Sequence, residues 1–129
     1  DRKRSLLASD LDCIAGEASR ETYFAELRAT LENLDDARGR RLDLVEIPEA
    51  DAALATSERY CLSYVNFYIA NGAVIVPGFE QPEFDAAAVA ALEAAFPERE
   101  IVQVPGQDII PGGGNVHCIT QQQPRGSRR

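Results

Sequence analysis

The sequence predicts an α/β fold built from repeated helix, strand and hairpin units, and three observations carry that prediction. Apolar residues recur at helical spacing in two stretches, at Phe24, Leu27, Leu31 and Leu34 and again at Phe84, Ala88, Leu92 and Phe96. Each stretch is followed by a short β-rich run that closes on proline, "RLDLVEIP" at 41–48 and "EREIVQVP" at 98–105. An offset of 57 lays residue 41 on residue 98 and Cys61 on Cys118. A unit recurring at a fixed period is what stacked or circularly arranged modules produce, and one full module and part of another fit in this chain.

The elements follow in order. The first helix is expected from Ser19 to about Leu34, its apolar stripe flanked by charged residues, with Gly39 breaking it. Residues 41–48 then alternate apolar and polar side chains before Pro48, a strand pattern. "EADAALATSER" has no periodic face and is left as a connection or a short helical turn. A hairpin over residues 61–77 is expected around Ala70-Asn71-Gly72, because Asn-Gly readily takes up the positive φ of a tight turn. Pro82 suits the first turn of a second helix, whose apolar face should lie on the sheet until Pro97 stops it. "REIVQVP" reads as another buried strand, and Pro105-Gly106 turns the chain toward three consecutive glycines.

At 129 residues and 45% hydrophobic composition the chain fits one domain with one modest core. No apolar run is long enough to span a bilayer and no signal-peptide pattern opens the chain, so a cytoplasmic location without a membrane partner is expected. A net charge of −8 disfavours binding to nucleic acid or anionic membranes and suits a cationic ligand. The basic ends "DRKR" and "RGSRR" read as solvated tails. Asp1 stands where an initiator would, and methionine is absent throughout, so the chain is expected to be a piece of a longer protein. Cys13, Cys61 and Cys118 are odd in number and lack C-x-x-C spacing, which argues against a disulfide framework and a zinc site.

The densest candidate chemistry is "PGGGNVHCITQQQP", residues 111–124, which holds the one histidine beside a cysteine. Gly112 to Gly114 lack Cβ atoms, so either a ligand approaches the main chain there or the run is a plain flexible turn. No Lys-Ser/Thr follows, so phosphate binding is disfavoured. Cys118 reads either as a small buried hydrophobe or as a nucleophile at the end of the glycine loop. His117 is a poor candidate for its base, because in a strand over 116–120 the two side chains would face opposite ways. One histidine and one cysteine also cannot supply a full metal ligand set, and Ser63 has no nucleophile-elbow glycines.

"SYVNFYIANGAVIVPGF", then a helix, then "FPEREIVQVP" and "GGGNVHCITQQQP", strongly resemble the last part of the agmatine deiminase family. That family lies in the guanidine-modifying pentein superfamily, alongside the Porphyromonas-type peptidylarginine deiminases; the Gln-Gln-Gln-Pro ending is closer to the agmatine enzymes. The resemblance is clear over 58–124, extends to the helix and strand before it, and is not claimed for residues 1–17. It implies a pentein-type α/β propeller of five ββαβ modules, with residues 1–129 forming a single partial domain at its C-terminal end. It also implies that Cys118 is the catalytic nucleophile. Its thiolate would attack the guanidinium carbon of agmatine, ammonia would leave, and water would release N-carbamoylputrescine in putrescine and polyamine biosynthesis.

The resemblance implies no cofactor and no metal. Gly113 and Gly114 are the expected substrate-binding positions, through backbone carbonyls that could accept guanidinium N–H bonds. A guanidinium is already cationic and resonance-stabilised, so carboxylates and a proton-shuttling histidine are needed as well. In the family these precede the final module, so the isolated chain is expected to be inactive and, with sheet edges bared, prone to self-association. Homo-oligomer formation by the parent is left open. Two alternatives remain, a parent acting on peptidyl-arginine and a non-catalytic binding module of the same fold. Asn66 and Asn71 are expected to serve strand pairing and turn formation, the acidic residues over 83–98 a solvated face, and Cys61 no reactive role.

Overall fold

A computed structural model describes residues 4–7, 17–51, 54 and 61–123. Cys13, the basic residues 125–129 and most of the 49–59 connection lie outside the described residues. Among the described residues, five strands and two α-helices form a mixed α/β arrangement. Strand β1 (Arg4–Leu7) pairs in parallel with β2 (Asp43–Glu46), and helix α1 (Glu17–Glu32) connects them. Strands β3 (Tyr68–Ala70) and β4 (Ala73–Gly78) form an antiparallel hairpin. Helix α2 (Pro82–Ala95) then crosses back to β5 (Glu100–Pro105), which lies parallel to β4. The second sheet therefore has the order β3-β4-β5.

The order β3, β4, α2, β5 is one ββαβ unit, and β1, α1, β2 repeat its last three elements. The offset of 57 carries the start of β2 at residue 43 onto the start of β5 at residue 100, the closing strand of each βαβ crossover. At that offset only the closing strands coincide, since β1 falls on residues 61–64, outside any strand, and the start of α1 falls on β4. Strand β1 was not expected at all. Its Arg4 belongs to a paired strand, and residues 1–3 of the basic end lie outside the described residues.

The hairpin turns at Asn71-Gly72, with Gly72 at φ 79°, as the dipeptide requires. Its first strand is shorter than expected, because residues 61–67 form a turn-containing segment that dives into the core instead of pairing. Leu62, Tyr64 and Phe67 are buried there against Val74 and Val76 of β4, Phe79, and Ala88 and Leu92 of α2. Tyr64 meets Phe79 edge-on at 4.9 Å, and Phe67 meets Phe96 edge-on at 5.8 Å.

Helix α2 begins at Pro82, where a missing N–H costs nothing, and buries Ala88, Leu92 and Ala95. Its expected stripe holds through Ala88, Leu92 and Phe96, which packs against the core, and departs at Phe84, which is exposed. Nor is its acidic surface wholly solvated. The Asp85 carboxylate accepts from the Tyr64 hydroxyl at 2.7 Å and from the Phe79 and Gln81 N–H groups at 3.0 and 3.1 Å. Burial, with that carboxylate beside it, pushes the Tyr64 phenol well above its ordinary range. Strand β5 was expected to be buried but is an edge strand with no fully buried residue; its Ile101 packs against the core.

Around the first crossover, Asp36 accepts from the Arg40 guanidinium and from the Arg38 and Arg40 N–H groups. Those bonds hold its carboxyl down at about 2. Leu34, expected to end the α1 stripe, lies beyond the helix and is exposed. No helix among the described residues is long and apolar enough to cross a membrane.

Candidate active site

The segment after β5 carries the glycine run and Cys118. It leaves β5 through Gly106, whose N–H donates to the Gly78 carbonyl, and makes one 3₁₀ turn at Ile110–Gly112. Gly113 follows in the left-handed region at φ 83°, ψ 20°, a conformation that costs a glycine nothing. Gly114 and Asn115 are buried, and the Asn115 side chain fixes the next turn. Its Oδ1 accepts the Val116 N–H at 2.9 Å while its Nδ2 donates to the Gly106 carbonyl at 3.3 Å. A second 3₁₀ turn, Val116–Ile119, then presents Cys118.

Residues 116–119 are therefore not a strand, and the alternation that would set His117 against Cys118 does not apply. Asn115 is the physical reason: by capping the Val116 N–H it starts a turn where an extended chain would run on. Of the two readings of Cys118, the buried one does not hold, because the residue is exposed. His117 is exposed too, and its ring makes no hydrogen bond among the described residues.

Each of the three glycines plays a different part. A Cβ on Gly112 would meet nothing within 4 Å, so this position is sterically idle. Gly113 supplies the left-handed turn. A Cβ on Gly114 would stand 2.6 Å from the Cys118 Sγ and 2.8 Å from its Cβ, so this glycine makes the space the cysteine occupies. The close approach expected along the run is thus that of the nucleophile candidate itself at Gly114, with Gly113 on the exposed side of the turn.

Asn66 is the residue that sequence reasoning missed. It lies in the loop before the hairpin and meets the cysteine turn three times, with a fourth contact to Cys61. Its carbonyl accepts the His117 N–H at 3.1 Å and its Oδ1 accepts the Cys118 N–H at 3.3 Å. Its Nδ2 donates to the Cys118 Sγ at 3.2 Å and lies 3.7 Å from the Cys61 Sγ. Asn66 was expected to serve strand pairing, yet it is in no strand, and its whole amide is spent on the two cysteines. The one signal in the sequence was a polar amide set within the apolar run "YVNFYI". Asn71, by contrast, sits in the hairpin turn as expected.

A groove of about 480 Å³ runs along the outer edge of β3, lined by Tyr68, Ile69, Ala70, Asn71, Gln122 and Gln123. It is formed by the segment that continues from the cysteine turn, and Cys118 itself lies outside it. Among the described residues no cluster of histidine, cysteine or carboxylate side chains could hold a metal ion. What the arrangement does is hold the sulfur of an exposed cysteine against one amide N–H donor.

A sequence model of the Porphyromonas-type peptidyl-arginine deiminase family matches residues 6–124, well beyond the 58–124 stretch whose resemblance is plain by motif. The agmatine deiminase of Pseudomonas aeruginosa strain LESB58 is 45% identical over 112 residues, 73% of this chain and 30% of that protein. Among solved structures, a Porphyromonas gingivalis protein assigned as an arginine deiminase matches with a TM-score of 0.76 at 28% identity, over 95% of this chain and 34% of its own. The agmatine deiminase of Enterococcus faecalis matches with a TM-score of 0.66 at 28% identity, over 95% and 36%. The chain spans about 30% of the length of the curated relatives it matches.

Proposed function

Because this chain belongs to the Porphyromonas-type peptidyl-arginine deiminase family, we propose that it is the nucleophile-bearing part of an agmatine deiminase, with Cys118 as the nucleophile. The observation that carries the reading is the exposed Cys118 Sγ, seated over Gly114 and taking the Asn66 Nδ2–H at 3.2 Å. The Cys118 thiolate attacks the guanidinium carbon of agmatine, the C–N bond to a terminal nitrogen breaks, and ammonia leaves with a proton delivered to it. Water then attacks the amidino-thioether carbon, the C–S bond breaks, and N-carbamoylputrescine departs as the thiolate is regenerated. The sum is agmatine and water giving N-carbamoylputrescine and ammonia. No metal or organic cofactor enters these steps.

The remaining groups come from the rest of the parent chain. Carboxylates must hold the cation, and a histidine must move protons between sulfur, leaving group and water. Gly114 borders the Cys118 sulfur and the exposed Gly113 precedes it in the chain, so carbonyls there are the proposed backbone acceptors for guanidinium N–H groups. The ββαβ unit and its partial repeat support a pentein-type propeller for the parent, of which residues 1–129 are one partial domain. On this reading the parent is a cytoplasmic enzyme of putrescine biosynthesis, and the 129-residue piece alone is inactive.

A parent acting on peptidyl-arginine is the second reading, favoured by the description of the matching family. The 45% identity to a protein named agmatine deiminase ranks it second. One experiment separates the two: the full-length protein is assayed for ureido product with agmatine and with an arginine-containing peptide. Product from agmatine alone, abolished by Cys118→Ser, is expected. Product from the peptide alone would replace the reading, and turnover that survives Cys118→Ser would end it.

A further inference from the structure

Two sulfurs flank one amide. The Asn66 Nδ2 is 3.2 Å from the Cys118 Sγ and 3.7 Å from the Cys61 Sγ, so the sulfurs can be no farther apart than those two contacts laid end to end. Cys118 is exposed on a short 3₁₀ turn, and Cys61 is half-buried at the start of a segment without regular structure, one that already bends into the core. Nothing in the deamination chemistry uses Cys61. From this juxtaposition we propose that Cys61 and Cys118 form an oxidative modification site, in which peroxide converts the nucleophile to a sulfenic acid and Cys61 captures it as a reversible disulfide.

The inference rests on Cys118 being a reactive thiolate, as proposed above. In the first step the Cys118 thiolate attacks one oxygen of hydrogen peroxide; the S–O bond forms, the O–O bond breaks and hydroxide leaves. Sulfur loses two electrons and the peroxide oxygens gain them. In the second step the Cys61 thiolate attacks the Cys118 sulfur, the S–S bond forms, and the sulfenic oxygen leaves as hydroxide, protonated to water. Two thiols and one peroxide thus give one disulfide and two waters, and a dithiol reverses the change. Closing the bond brings the sulfurs to about 2 Å and displaces the Asn66 amide from between them. The movement falls on the 3₁₀ turn of Cys118 and on the chain at Cys61, and the bond removes the attacking group from service.

The pairing also has a protective consequence. A sulfenic acid without a neighbouring thiol proceeds to sulfinic and sulfonic acids, which a dithiol cannot reverse, whereas capture as a disulfide stops the ladder at its first rung. The full-length protein is exposed to hydrogen peroxide and mapped by non-reducing peptide mass spectrometry, beside Cys61→Ala. The wild type is expected to yield a Cys61–Cys118 linked peptide that dithiothreitol dissolves. In Cys61→Ala the dithiothreitol-resistant oxidation of Cys118 should be faster by about tenfold or more. Equal irreversible oxidation in both proteins, or Cys118 linked only to Cys13 or to a second chain, overturns the inference while leaving the nucleophile assignment intact. A Cys118 that resists both peroxide and iodoacetamide overturns the two together.

Discussion

Replacing Gly114 by alanine should disable the site by moving one side chain. Gly114 has no positive φ, so alanine meets no backbone penalty there and the effect is purely steric. The added Cβ falls 2.6 Å from the Cys118 Sγ and 2.8 Å from its Cβ, where ordinary contact begins near 3.4 Å. Rotation about χ1 relieves the clash with sulfur but cannot move the Cys118 Cβ. The 3₁₀ turn must therefore shift by at least about half an ångström, and the sulfur, levered from further out, by about 1 Å. A displacement of that size breaks the Asn66 contact and, at a reacting centre, costs about 10²-fold in rate. The assay is steady-state turnover of agmatine by the full-length protein, beside iodoacetamide alkylation of Cys118 read by peptide mapping. Gly112→Ala is the internal control, since its Cβ meets nothing within 4 Å; it should stay within about twofold of wild type. Should Gly114→Ala match Gly112→Ala in both measurements, the close seating of Cys118 would have no functional weight.

Three further outcomes follow from the same structure. Asn66→Asp keeps an acceptor for the Cys118 N–H and removes the donor to sulfur. Loss of one hydrogen bond to a charged group should slow agmatine turnover about 10- to 10²-fold with little change in melting temperature; an unchanged rate would show the amide to be structural only. Leu92→Ala empties a fully buried position between α2 and β4, and urea denaturation should show a loss of about 2–5 kcal/mol. Asp36, held at about 2 against an ordinary 3.8, stabilises the folded chain above the higher value and loses that contribution as pH falls through the lower one. Asp36→Asn should therefore be less stable than wild type at pH 7, with the gap closing between about pH 4 and pH 2; a gap independent of pH would contradict the assignment.

Much of the fold was legible in the sequence because its signals are local. Asn71-Gly72 announces its turn through the φ it can adopt, and Pro82 and Pro97 bracket α2 through an N–H that proline lacks. The four-residue spacing from Phe84 to Phe96 misled in part for a geometric reason. A helix of 3.6 residues per turn rotates such a row by about 40° at each step, so a row that is buried at Ala88 and Leu92 has turned toward solvent at Phe84. Strand β1 was invisible because four residues become a strand only by pairing with β2, across an intervening helix. The site divides in the same way. Cys118 and its glycines stand together in one motif, but Asn66 reaches Cys118 only through the fold, across 52 residues. The 3₁₀ turn that exposes the sulfur depends on the Asn115 side chain outcompeting an extended chain for the Val116 N–H.

Trapping the covalent intermediate tests the nucleophile assignment most directly. The full-length protein is mixed with agmatine isotopically labelled at the guanidinium carbon, quenched in acid during turnover, digested and mapped by mass spectrometry. The label is expected on the peptide containing Cys118, as an amidino adduct that vanishes in Cys118→Ser together with ureido product. Label on any other residue, or product formed at the wild-type rate with none on Cys118, would contradict the account.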